Sequence, residues 1–134
     1  MKLCGEEHEA TLRDAFNYAS TLGRLERYAE AKSLLRNTMP VGRRVLGAAH
    51  EFTIKMSWIY AKALYANPAA TLDELREAVT TLEETEGTAR RVFGAAHPTV
   101  MDIQHGLQTA RELLAAREAL REAKAAEAIT PGDA

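Results

Sequence analysis

One run of residues recurs almost unchanged and limits what this chain can fold into. Arg43-Arg44-Val45-Leu46-Gly47-Ala48-Ala49-His50 returns as Arg90-Arg91-Val92-Phe93-Gly94-Ala95-Ala96-His97. A weaker copy, Gly5-Glu6-Glu7-His8, stands 42 residues before the first of these, and the second follows after 47. A fixed period of this size is the mark of a repeat architecture, in which each unit buries its apolar face against the next. The units run over about 8–49, 50–96 and a partial 97–128. The five extra residues of the second unit fit around Tyr65-Ala66-Asn67-Pro68-Ala69-Ala70, a local loop signal.

Each complete unit reads as two helices. Leu12, Ala15, Tyr18, Ala19 and Leu22 recur at helical spacing, and a break falls near Gly23 to Arg27. Tyr28, Ala31, Leu34, Leu35, Val41, Val45 and Leu46 then carry a second helix to Gly47. In the next unit Ile54, Ser57, Trp58, Ala61 and Leu64 mark the first helix, which Asn67-Pro68 ends. Thr71 to Glu74 is a capping-box pattern that opens the following helix, and Gly94 closes it. Pro98 opens a fifth helix, predicted to run to about Ala128, with a disordered tail over 129–134. Past Leu114 only Leu120 is large and apolar, as expected of a solvated capping end. Pro40 and Gly87 hold the same place in their helices, where a bend is one expectation and a tolerated defect the other.

These motifs resemble tetratricopeptide repeats, and in particular the long-period kind found in kinesin light chains. That kind has H-P-D-T at the start of the first helix, N-N-L-A within it, a G-R-Y-E-E-A turn and an R-x-x-L-G-x-x-H close. The matching residues are His8 to Thr11, Asn17 to Ala19, Arg27 to Ala31 and Arg43 to Gly47, and more loosely His50, Thr53, Ala61, Leu75, Ala78 and Arg90 to Gly94. Glu26 stands where the family has its turn glycine, and Thr38 and Thr85 where a small Ala is usual. The resemblance implies an all-α fold: a short α-solenoid of antiparallel helix pairs, about five helices, as a single domain over 1–134. It also implies a binding module without chemistry of its own, taking a peptide segment in its concave groove.

By register, the groove positions are Arg13, Phe16, Asn17, Ser20 and Arg24 on the first helix. On the third they are Lys55, Trp58, Ile59, Lys62 and Tyr65, and on the fifth Asp102, His105, Thr109 and Glu112. Spacings of three and four keep each set on one face. Four cations around an apolar middle suit an acidic or mixed segment. Trp58 and Phe16 could equally fill the interhelical core, and His105 could simply pack.

Other function classes find little support. Lys and Arg total 17 against 19 Asp and Glu, a net charge of −2, which argues against nucleic acid as a partner. No run is apolar enough for a membrane helix, the start lacks a signal peptide, and a single cysteine, Cys4, makes no internal disulfide. The expected setting is cytoplasmic. Phosphate-binding glycine loops and paired-cysteine motifs are absent, and His50-Glu51 lacks the second histidine of a zinc-protease motif, so no enzyme activity and no cofactor are expected. Equivalent histidines on neighbouring packed helices stand too far apart to share an ion, so each is expected to brace a turn between units. The alternative function is structural: part of a larger repeat array, docking through its terminal helices, with self-association or stacking as the symptom.

Overall fold

Five helices occupy the computed structural model, which describes the backbone of residues 2–129 and the side chains of residues 9–128. They are α1 (Lys2–Arg24), α2 (Tyr28–Val45), α3 (Glu51–Tyr65), α4 (Leu72–Phe93) and α5 (Pro98–Ile129). The fold is all-α. Each helix packs on its neighbour in sequence, α1 also meets α3, and α3 also meets α5. The backbones of α2 and α4 do not approach in this way. The first helices of the units therefore stand side by side, with α3 between α1 and α5.

Local chemistry explains the boundaries. The first unit turns through Glu26, whose φ of +60° is left-handed. The Arg27 N–H donates to the Leu22 carbonyl at 2.8 Å and the Glu26 N–H to Gly23 at 3.0 Å, a Schellman closure built on a non-glycine residue. Gly47 and Gly94 end α2 and α4 with φ near +90°. His50 and His97 then take the N-cap role. The Nδ1 atom of each accepts the backbone N–H two residues on, at 3.1 Å in both cases. Phe93 stacks on His97 at 4.6 Å between ring centres. At α4 the capping box is complete, with the Thr71 hydroxyl accepting from the Glu74 N–H and the Glu74 carboxylate accepting from the Thr71 N–H. Helices α2 and α4 run without interruption through Pro40 and Gly87.

Two expectations are corrected. His8 does not sit in a turn: α1 runs straight through Gly5 to His8. No described helix precedes that glycine for it to end, and the His8 side chain and Cys4 lie outside the described side chains. Ile129, assigned to a disordered tail, is the last residue of α5; the remaining 130–134 lie outside the described residues.

The core follows the repeat. Ala31 and Leu35 of α2 and their counterparts Ala78 and Leu82 of α4 are all fully buried. So are Ala19 and Leu22 of α1 beside Ala61 and Leu64 of α3. Helix α3 is buried on both sides, through Ile54, Met56, Tyr60 and Leu64. Above Tyr60, Arg36 of α2 and Glu77 of α4 pair at 3.2 Å and both bond the tyrosine hydroxyl. Lys32 and Glu74 extend this polar seam at 2.6 Å. Past Leu114, residues 119–128 are exposed as expected, but Arg117 is not free: it donates to the Ala70 carbonyl at 2.6 Å, and Glu118 meets Arg76.

Candidate peptide-binding groove

Helices α1 and α3 lie side by side, and the start of α2 closes the gap between them at one end. The cleft this makes holds about 260 Å³. Ala31, Ile59 and Ala63 give it an apolar floor, and Ser20, Arg24 and Lys62 stand around it. Four of the expected groove residues, Ser20, Arg24, Ile59 and Lys62, therefore share one cleft. Gly23, Tyr28, Ala31 and Ala63 complete it and were not foreseen, because they belong to the turn and to core positions rather than to the groove register.

The two rim cations stand apart from the ion pairs of the described residues. Arg24 reaches only the Thr21 hydroxyl, at 3.3 Å. Lys62 lies 5.9 Å from the centre of the Trp58 ring. Neither meets a carboxylate among the described residues, whereas Arg27, Lys32, Arg36, Lys55, Arg76, Arg90 and Arg111 all do. Lys55 bonds Glu51 one turn back at 2.8 Å, and it holds that carboxyl below the usual glutamate range. Lys55 is thus a weaker candidate than its register suggested. Arg13 stands apart, over the Phe52 ring at 5.7 Å.

A second cleft of about 510 Å³ lies one repeat further on. Tyr65 and Leu75 occupy in it the places that Gly23 and Tyr28 hold in the first, and Thr109 replaces Lys62. Leu113, Ala116 and Leu120 of α5 form its far wall. The signal for that wall was present in the sequence, since two leucines seven residues apart share a helix face. The loop insertion contributes Pro68 and Ala70.

Trp58 and Tyr65 meet α5 at Gly106. A methyl group there would lie 3.1 Å from the Tyr65 hydroxyl and 3.7 Å from the Trp58 indole nitrogen. The missing side chain is what allows α3 and α5 this approach. Trp58 and Phe16 are half-buried against the core, so neither extreme reading of them holds. The Trp58 N–H has no described protein partner, yet no buried side-chain donor is left unpaired, so that N–H reaches solvent. Burial raises the Tyr65 hydroxyl above its ordinary pKa. Asn17 and His105 are exposed and line neither cleft. Each instead lends its backbone carbonyl to the threonine hydroxyl one turn on.

No three His, Cys, Asp or Glu side chains among the described residues stand close enough to hold a metal ion. No described helix is long and apolar enough to cross a membrane. No family model, no curated protein and no solved structure matches the chain.

Proposed function

We propose that this chain is a non-catalytic protein–protein interaction module of the tetratricopeptide kind, working in the cytoplasm, that takes an extended peptide segment across α1, α3 and α5. The observation that carries this reading is the α1–α3 cleft, with its apolar floor and two cations that no carboxylate among the described residues engages. A cation without an internal partner is available to an outside anion, and Arg beside aromatic surface is the usual composition of a binding hot spot. The segment it suits is acidic or mixed, with an apolar side chain for the floor. The side-by-side order of α1, α3 and α5 supports the same reading.

The experiment is an array of extended peptides of acidic, neutral and basic composition, probed with the protein and with an Arg24→Glu, Lys62→Glu variant. Both residues are exposed, so the variant should keep its circular dichroism spectrum. Acidic peptides retained by the protein and lost by the variant would support the groove. Equal retention, or none on any peptide, would overturn it.

A second reading, that the chain docks into a larger repeat array, draws on its two end faces. Tyr18, Leu25 and Met101 are 55%, 62% and 57% exposed, whereas Tyr60 and Ile54, the counterparts of Tyr18 and Met101, are 4% and 2% exposed.

A further inference from the structure

The outer face of α1 carries an incomplete copy of a site that is complete on α3. On α3, Tyr60 is held from two sides: Arg36 of the preceding helix donates to its hydroxyl at 2.9 Å, and the hydroxyl donates to Glu77 of the following helix. Arg36 also pairs with Glu77 directly. The core pairs Ala19 with Ala61, Leu22 with Leu64, Ala31 with Ala78 and Leu35 with Leu82 set the register between units. In that register Tyr18 stands where Tyr60 stands, and Glu30 where Glu77 stands. The arginine belongs to the helix before, and among the described residues no helix precedes α1 to supply one. Glu30 meets only its neighbour Arg27, in a pair about half exposed on both sides. Such a pair contributes little and yields readily to competition.

The rest of the face fits this description. Thr11, Asp14, Tyr18, Thr21 and Leu25 recur at intervals of three and four, and all five are exposed. Their α3 counterparts Thr53, Met56, Tyr60 and Ala63 are buried, in part under α2. Asp14 in place of Met56 adds a second carboxylate beside Tyr18, which favours a basic occupant.

We propose that this face of α1 seats an amphipathic helix from a partner protein, one that presents an arginine between apolar residues as α2 presents Arg36 between Leu35 and Met39. The tyrosine and the glutamate read the guanidinium, and Leu25 with the Tyr18 ring covers the apolar neighbours. A second copy of this chain does not supply that helix while folded, since its own Leu35 and Met39 are buried. The face meets the groove rim at Thr21, whose hydroxyl accepts from Arg24 at 3.3 Å, whereas Lys62 belongs to the groove side, and the proposal does not rest on the groove reading.

The probe is a synthetic peptide with the sequence of residues 28–45, held helical by a staple between the exposed positions Ser33 and Asn37 and titrated against the full chain by fluorescence anisotropy. Saturable binding is expected, weakened at least tenfold by Arg36→Gln in the peptide and by Tyr18→Ala or Glu30→Gln in the protein. Lys62→Glu in the groove should leave it unchanged. Both α1–α2 variants replace exposed side chains, and circular dichroism confirms that they fold. No saturable binding, equal binding of the Arg36→Gln peptide, or insensitivity to Tyr18 and Glu30 would overturn the proposal. Concentration-dependent dimerisation of the chain alone, abolished by Tyr18→Asp in sedimentation, would overturn it in favour of a second copy.

Discussion

Gly47 and Gly94 both take a positive φ, +93° and +91°, at the ends of helices one repeat apart. Open space surrounds both, so no side-chain clash decides which residue stands there. The constraint is the backbone itself. Gly94, with ψ of 152°, lies in a region almost closed to other residues. Gly94→Ala should therefore cost about 1–3 kcal/mol, although alanine is the better helix former. Urea denaturation of the single variant would read this directly. An unchanged midpoint would show that the turn reshapes at little cost.

Glu26 supplies the opposite case. It takes a φ of +60° without the freedom of glycine. Its side chain is exposed and its backbone closes the α1–α2 turn. Glu26→Gly should stabilise the fold by up to about 1 kcal/mol, the left-handed penalty less the added entropy of the unfolded chain. A raised melting temperature is the expected readout.

The caps at His50 and His97 rest on an accepting Nδ1 atom. His50→Ala removes that acceptor and should cost about 1 kcal/mol, whereas His50→Asp or His50→Asn should restore most of it. If all three variants melted alike, the ring packing of His50 on Phe52 would be its contribution instead.

Acid should destabilise the chain in a definite window. Hydrogen bonds from Lys32 and from the Thr71 backbone lower the pKa of Glu74, and bonds from Gln104 and Arg90 lower that of Glu86. A carboxylate depressed in the folded state stabilises that state above its unfolded pKa. The contribution disappears as pH falls through the folded value. Stability should be flat near neutrality and fall below about pH 4.3. Glu74→Gln should lower stability at pH 7 and flatten the fall between pH 5 and 3, measured by urea melts across that range.

Tyr60 links three helices through one hydroxyl. Tyr60→Phe keeps the ring and removes the bonds, while Arg36 and Glu77 remain wet enough to rebond to water. A cost of about 1 kcal/mol is expected, and a double-mutant cycle with Arg36→Gln should show coupling. Strict additivity would mean that the two residues act separately.

Much of this was legible in the sequence because it is local. Apolar spacing marked the five helices, Thr71 to Glu74 announced a capping box, and Asn67-Pro68 announced the end of α3. The groove register brought Ser20, Arg24 and Lys62 to one cleft. It did not weigh Glu51, which stands four residues before Lys55 on the same helix and pairs with it. The repeat signal failed at His8, where α1 is helical from Lys2 through Gly5 and onward and no turn forms.

The sequence by itself determined the period, the helices and the stops between them, since each depends on residues within a few positions of one another. Only the tertiary structure decided which equivalent residues are buried. Tyr18 and Tyr60 hold the same place in their units, yet one is open to solvent and the other enclosed. The difference lies in whether a helix stands alongside, and burial is a property of the assembled neighbours rather than of the residue or its local sequence.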